Sequence, residues 1–277
     1  MPKPIRRGTE TLSVYNRPVS RPRTYRTEAL VLRNAPLGEA DLLVSLLTPY
    51  HGKVRATARG ARKLTSRMVG HMEPLTRLDA VLAEGRSLDT ISQAQVLDAF
   101  REMKMDLDAT SRGLYVAELL DGFAMEGSGN PGLYSLACQV LHLLAAADAD
   151  PDLLLRYFEL HLLKLSGFMP ELYTCVECRT NPAPGGHHYS PDGGGLLCTE
   201  CKPSGSRVMP LSAEALELLR FLDGSRPEHA ARLSVPPEIS EHLKGLMAAT
   251  VRYWLDRDVR SARFVGMVDI HAPDASQ

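Results

Sequence analysis

The 277 residues suffice for about two domains, and a hydrophobic fraction of 44% with a charged fraction of 23% is ordinary for a soluble globular protein. No apolar run reaches the ~18 to 20 residues that a membrane-spanning helix needs, and the N-terminus lacks the apolar core of a signal peptide. We therefore expect a cytoplasmic protein.

The formal net charge of -1 hides an uneven distribution of charge along the chain. Residues 1–79 hold 15 Lys and Arg against 6 Asp and Glu, whereas residues 80–277 hold 17 against 27. Such a split predicts an N-terminal part that binds a polyanion. Within it, residues 1–23 hold six basic residues, one acid and four prolines. Because proline opposes the amphipathic helix of a transit peptide, we predict a disordered basic arm there.

Residues 24–97 have the pattern of a small β-barrel. Runs that are apolar, rich in β-branched residues or alternating with a period of two are separated by turn residues. In the third run the apolar Val54, Ala56 and Ala58 fall on one face and the basic residues fall on the other. The predicted strands are residues 24–33, 41–48, 53–59, 76–83 and 87–96.

Residues 98–277 change to apolar residues at three- and four-residue spacing, which predicts helices. The clearest helix lies within residues 150–167, where Asp150 is the predicted N-cap and Pro151 lies in the first turn. Its apolar residues occupy most of its circumference, so we expect it to be buried and central. The predicted fold class is therefore α+β, a β-barrel followed by an all-helical domain.

Four cysteines form two C-x2-C pairs, separated by 19 residues, in a glycine-rich insert at about residues 171–205. Two residues between thiolates let one turn place both sulfurs on a single ion, and two such pairs complete the tetrahedral shell that suits Zn²⁺. Four protein ligands leave no position for water, so the predicted zinc site is structural. Its predicted ligands are Cys175, Cys178, Cys198 and Cys201.

Other interpretations of these cysteines stay open from the sequence alone. Two disulfides are disfavoured in a cytoplasmic setting, and a redox pair does not require two C-x2-C motifs at this spacing. An iron–sulfur cluster is a further alternative, as is replacement of one thiolate by His187 or His188. The fifth cysteine, Cys138, lies in an apolar helical pattern and is predicted to be a core thiol.

The segment of residues 51–63, HGKVRATARGARK, concentrates five Lys and Arg without any acid. If residues 53–59 form a strand, its basic side chains point to one face, and Gly60 allows a sharp turn after it. Such a surface would contact phosphates without reading bases, although a solvated strand face is the simpler alternative. The predicted DNA-binding residues are Lys53, Arg55, Arg59, Arg62, Lys63 and Arg67.

Motifs of enzymatic chemistry are absent from the sequence. It contains neither the phosphate-binding loop G-x-x-x-x-G-K-[ST] nor a G-x-G-x-x-G that follows a predicted strand, and it lacks H-E-x-x-H and G-x-S-x-G motifs. His161 lies in the predicted central helix and fits a core histidine better than a catalytic base. We predict no catalytic residue and a protein that is not an enzyme; a metal-dependent nuclease is the alternative of that class.

Several of these segments resemble the bacterial recombination protein O (RecO) family of DNA repair proteins. The distinctive elements are L-G-E-x-D at Leu37–Asp41, T-P-x-x-G-K at Thr48–Lys53 and A-R-G-A-R-K at Ala58–Lys63. Together with the two C-x2-C pairs, the similarity runs from about Tyr25 to Trp254. It implies an N-terminal OB-fold followed by a helical domain that carries a zinc-binding insert.

The resemblance also implies a function in recombinational repair by the RecF pathway. Proteins of this family bind single- and double-stranded DNA, anneal complementary strands and act with RecR and single-stranded DNA-binding protein (SSB) to help load RecA. The family has no catalytic signature, which agrees with the absence of enzymatic motifs. The alternative is a zinc-containing protein–protein scaffold that does not anneal DNA itself.

Overall fold

The structure is a computed structural model that describes residues 23–63, 66, 68, 70–146, 149–201, 208–255, 259, 261–263 and 265. The predicted basic arm lies outside these residues except for its last residue, Arg23. Within the described part of the chain, no helix is long and apolar enough to span a membrane.

Five strands close into a barrel in the order β1–β2–β3–β5–β4. All neighbours pair antiparallel except β3 and β5, which are parallel. This is the five-stranded OB-fold expected from the sequence, and all five predicted strands are confirmed. The strands are β1 (Thr24–Leu37), β2 (Asp41–Thr48), β3 (Gly52–Ala58), β4 (Arg77–Ala83) and β5 (Asp89–Asp98).

The alternation predicted for the third strand is confirmed in β3. Val54, Ala56 and Ala58 are buried in the barrel core, whereas Arg55 is exposed on the outer face. The short alanines at this position allow the strands to curve closely around the barrel interior. The basic side chains of β3 consequently lie outside the barrel.

A β-bulge interrupts β1 at Leu32. Val31 pairs with Leu46 and Arg33 pairs with Ser45, so that β1 has one residue more than β2 over this interval. An extra residue shifts the alternation of side chains by one position. As a result, Arg33 lies on the outer face of the barrel.

Seven helices follow the barrel within the described residues, and α4 is at their centre. It contacts α2, α3, α5, α6 and α7, and ten of its fifteen residues are buried, which confirms the predicted central helix. Asp150 caps it through hydrogen bonds from the amides of Asp152 and Leu153. The helices are α1 (Arg101–Met105), α2 (Leu107–Phe123), α3 (Pro131–Leu143), α4 (Pro151–Leu165), α5 (Ala213–Gly224), α6 (Pro227–Ala231) and α7 (Pro237–Leu255).

The helical domain also contains a small sheet, so it is not helical throughout. The sheet has the order β7–β6–β8 and consists of β6 (His187–Ser190), β7 (Gly195–Leu197) and β8 (Met209–Leu211). The predicted insert ended at residue 205, whereas β8 lies beyond it because the chain returns after the second cysteine pair to pair with β6. Tyr189 anchors this sheet: its ring is fully buried, and its hydroxyl accepts a hydrogen bond from Thr250 of α7 at 3.1 Å.

The barrel and the helical domain share one apolar core. Leu30, Leu32 and Leu47 point outward from the barrel and are buried among residues of the helices. The barrel has a second core of its own inside the strands. The helical domain therefore covers part of the outer face of β1 and β2.

A buried ion pair lies inside α4, where the sequence pattern indicated only an interruption of the apolar run. Glu159 is fully buried, and its Oε1 accepts hydrogen bonds from Arg156 Nη2 at 2.7 Å and from the Tyr115 hydroxyl at 2.5 Å. Burial raises the pKa of the Glu159 carboxyl, while Arg156 favours its ionised form. The pair can be buried only because each charge has the other as a partner.

We expect Glu159→Leu to lower the free energy of unfolding by about 3–5 kcal/mol, because it leaves the Arg156 guanidinium buried without its carboxylate. The double variant Arg156→Met, Glu159→Leu should recover most of this loss, since no unpaired charge remains. Denaturant unfolding of the three proteins measures both effects. A loss below about 1 kcal/mol in the single variant would contradict the importance of the pair.

Candidate metal centre and nucleic-acid interface

The first cysteine pair lies in a tight turn that backbone hydrogen bonds hold closed. The Cys175 amide donates to the Thr180 carbonyl at 2.9 Å, and the Arg179 amide donates to the Cys175 carbonyl at 2.9 Å. Arg179 has φ of 60°, a left-handed conformation that reverses the chain just after Cys178. The turn thereby directs both thiols of the pair to the same side.

The second pair comes to the first because the insert folds back across its own sheet. Val176 donates its amide to the Leu196 carbonyl at 2.9 Å, which joins the first turn to β7. The second pair follows β7 directly. All four sulfurs lie within 4.8 Å of one another, so the structure brings together the predicted ligands Cys175, Cys178, Cys198 and Cys201.

The spacing of the sulfurs fits a tetrahedral zinc site. With Zn–S bonds of about 2.3 Å, the edges of the tetrahedron are about 3.8 Å long. Cys178 Sγ and Cys198 Sγ are 3.9 Å apart. The group contains neither His187 nor His188. Four sulfur ligands without a carboxylate suit Zn²⁺ in a structural role.

Hydrogen bonds favour the thiolate form of the first cysteine pair, Cys175 and Cys178, whereas hydrogen bonds to Cys198 and Cys178 raise the pKa of Cys201. The hydrogen bond from the Thr180 hydroxyl lowers the pKa of Cys178 to about 6. The Cys198 amide donates to Cys175 Sγ at 3.4 Å. By contrast, burial raises the pKa of Cys138 to about 11; this thiol lies on α3 outside the cluster and is half-buried against the edge of the helical core rather than inside it.

Four predicted DNA-binding residues lie together at one end of the outer barrel face. Arg55 is exposed on β3, and the other three follow β3 in a turn that folds against the loop between β1 and β2. In this turn the Gly60 amide donates to Asp41 Oδ1 at 2.7 Å, and the Arg62 amide donates to the Ala40 carbonyl at 2.9 Å. We call this set the cationic surface; it consists of the exposed Arg55, Arg59, Arg62 and Lys63.

Lys53 has a structural partner that the sequence did not reveal. Its Nζ donates to the Asp121 carbonyl oxygen at 2.6 Å, near the C-terminal end of α2, where carbonyl groups attract a cation. The ammonium therefore joins β3 to the helical domain. Arg67, the last of the six predicted residues, lies outside the described residues.

Arg33 is a cationic residue of this face that the sequence analysis missed. It pairs with Ser45 across β1 and β2, and Ser45 pairs with Arg55 across β2 and β3. The two arginines therefore lie in one row on either side of Ser45. No signal in the sequence identifies the bulge that directs Arg33 outward.

Family models of known proteins match both the barrel part and the helical part of the chain. The family model for the N-terminal domain of recombination protein O matches residues 23–100, and the model for its C-terminal domain matches residues 104–263. The chain belongs to the recombination protein O family. This confirms the resemblance and, at the level of the family, a function in DNA repair.

Individual relatives in the family are similar over most of their length. The DNA repair protein RecO of Roseiflexus sp. (strain RS-1) is 39% identical over 88% of this chain and 86% of that protein. The RecO protein of Symbiobacterium thermophilum is 36% identical over 87% of this chain and 96% of that protein. The RecO protein of Dehalococcoides mccartyi (strain BAV1) is 32% identical over 88% of this chain and 95% of that protein.

Proposed function

We propose that this chain binds single- and double-stranded DNA, anneals complementary strands and serves as a mediator of recombinational repair in the RecF pathway. The observation that carries the proposal is the cationic surface on the outer face of an OB-fold in a chain of this family. The surface consists of long side chains on an exposed strand and turn, which suits contacts with a flexible phosphate backbone.

The proposed mechanism follows from electrostatics. Two complementary strands repel each other through their phosphates, and a cationic surface that contacts both lowers this repulsion. It also raises the local concentration of one strand near the other. Phosphate contacts do not read the bases, so the Watson–Crick edges stay available for pairing. Pairing itself releases free energy, and the proposal needs no nucleotide cofactor.

The partners in this proposal come from the family. We propose that the chain acts in the cytoplasm with RecR and SSB, and that together they help load RecA onto DNA coated by SSB. The zinc insert would contribute structurally, since Tyr189 and Arg220 fasten it to the helices. The Arg220 guanidinium donates to the Leu172 carbonyl at 2.9 Å and lies over the Tyr173 ring at 5.2 Å.

The proposal contains no catalytic step by this chain. A nuclease would require carboxylates placed to hold a catalytic metal with an open position. Among the described residues, the group of three or more possible ligands that comes together consists of cysteines alone. A closed shell of four cysteines supports a structural site.

Fluorescence anisotropy with labelled single- and double-stranded 30-mers tests the proposal. We expect binding to both, with log affinity falling steeply as log salt rises. Weak binding without salt dependence would favour the alternative function, a zinc-containing protein–protein scaffold in which the barrel is only structural. Cleavage of the DNA after addition of Mg²⁺ or Mn²⁺, abolished by a point mutation, would favour the nuclease.

A further inference from the structure

Asp121 of α2 lies against the row formed by Arg33, Ser45 and Arg55. Its Oδ2 accepts a hydrogen bond from Arg33 Nε at 2.8 Å, and its Oδ1 accepts one from the Ser45 hydroxyl at 2.6 Å. Its backbone carbonyl accepts from Lys53, as described above. One residue of the helical domain thus contacts three strands of the barrel.

The contact leaves the outer edge of the Arg33 guanidinium open. Only Nε is engaged, and among the described residues the two terminal nitrogens have no hydrogen-bond partner. The side chain of Arg33 is 57% exposed, whereas that of Asp121 is only 13% exposed. The arginine can therefore meet a ligand from solvent while the carboxylate stays fixed behind it.

We propose that Arg33 is a further phosphate-binding residue beside the cationic surface and that Asp121 weakens DNA binding there by partly neutralising Arg33. This inference rests on the proposed function, because it assumes that DNA phosphates reach this face. A guanidinium held through Nε still offers its terminal nitrogens to a phosphate. The fixed carboxylate behind it repels the same phosphate.

The carboxylate cannot readily turn away when DNA arrives. Ser45 is buried, with 4% of its surface exposed, and its hydroxyl holds Oδ1 in place. Two like charges about 7 Å apart at a protein surface interact by an amount that corresponds to a severalfold change in affinity. The repulsion is therefore built into the contact between the two domains.

A carboxylate that lowers the affinity for DNA suits an annealing protein. If every cation of the surface were fully available, DNA would be released slowly, and the annealed product would occupy the surface. Asp121 lowers the affinity at the place where the two domains meet and so favours release. The proposal assigns to Asp121 a role in setting affinity as well as in joining the domains.

Asp121→Asn tests the proposal, because asparagine has nearly the same shape and keeps an oxygen that can accept from Ser45. We expect affinity for a single-stranded 30-mer to rise about fivefold at moderate salt. The slope of log affinity against log salt should become steeper by about 0.3, because a full phosphate contact changes it by about 0.7 and the carboxylate leaves the Arg33 contact only partly effective in the wild-type protein. An unchanged affinity and slope would overturn the proposal.

Asp79→Asn is the matched control. Asp79 pairs with Arg26 on the half of β1 that faces β4, and its replacement changes the net charge by the same amount. We expect DNA affinity to change less than twofold in this control. An equal gain in both variants would point to net charge alone and would also overturn the proposal.

Arg33→Gln provides a second test should Asp121→Asn fold poorly. Because Arg33 is exposed, the variant should fold normally, bind DNA about threefold more weakly and lose about 0.3 from the salt slope, which is the part of one contact that Arg33 supplies beside Asp121. Asp121→Asn should give a smaller gain in the Arg33→Gln background, where only the direct repulsion between the carboxylate and the phosphate remains to be relieved. An unchanged slope in Arg33→Gln would overturn the proposal, whereas absence of salt-dependent binding in the wild-type protein would instead refute the proposed function.

Discussion

Replacing Arg55, Arg59, Arg62 and Lys63 together by alanine is expected to lower the affinity for single-stranded DNA about 100-fold at moderate salt. Each lysine or arginine that neutralises a phosphate releases a counterion, so the salt dependence counts the contacts. Four lost contacts should reduce the slope of log affinity against log salt by about 3. Fluorescence anisotropy over a salt series measures both quantities.

A matched control separates these positions from a general loss of charge. Arg26 lies on the part of β1 that pairs with β4, and the other three control residues lie on the helical domain, Arg101 on α1, Arg226 at the N-cap of α6 and Lys244 on α7. Their replacement by alanine removes the same charge. We expect this control to retain nearly all of the wild-type affinity and slope. Equal losses in both variants, or an unchanged slope in the first, would refute the cationic surface as the binding site.

Lys53 is left out of the first variant for a physical reason. Its ammonium binds the Asp121 carbonyl, so its removal would disturb the contact between the two domains as well as any contact with DNA. A loss of affinity in a Lys53 variant would therefore have two possible causes. The four chosen side chains are exposed, and the side-chain hydrogen bond of Arg62, to the Gly38 carbonyl at 3.2 Å, stays within the barrel rather than joining the two domains.

The second large effect is expected from loss of the metal. We expect the purified protein to contain about one zinc ion per chain, and Cys198→Ser to reduce this content strongly. Because the insert contributes Tyr189 and Leu196 to the helical core, its unfolding should lower the melting temperature by about 10 °C or more. Elemental analysis and thermal unfolding of the same samples measure both effects.

Cys138→Ser is the control for this prediction. It makes the same chemical change on α3, outside the cluster, and should leave the zinc content unchanged. Full zinc content and an unchanged melting temperature in Cys198→Ser would contradict the four-cysteine site. Iron in place of zinc would show that the ligands are right and the metal is wrong.

The regular parts of the fold could be predicted because they depend on local patterns. Apolar and β-branched runs between turn residues, with alternation of period two at residues 53–59, placed the five strands, and the end signals at Asp150 and Pro151 placed α4. The cysteines could be predicted as one group because tetrahedral coordination requires a particular number and spacing of thiolates. In each case the information lies within a few residues or in a known coordination geometry.

The features that could not be predicted depend on contacts between distant parts of the chain. The bulge at Leu32 reverses the direction of Arg33 without a marker such as glycine. The partner of Lys53 lies 68 residues further along the chain, on a helix whose docking side is not encoded locally. For Glu159, the sequence showed an acid in an apolar run, but the hydroxyl from Tyr115 became visible only when α2 packed on α4.

The rate of strand annealing tests the central claim most directly. Two complementary oligonucleotides carrying a fluorophore and a quencher are mixed with the wild-type protein, without nucleotide, at several salt concentrations. We predict annealing well above the spontaneous rate at low salt, a strong decline as salt rises and little acceleration by the variant lacking the four cations of the cationic surface. Annealing at the spontaneous rate, under conditions where the protein is folded and binds DNA, would contradict the account.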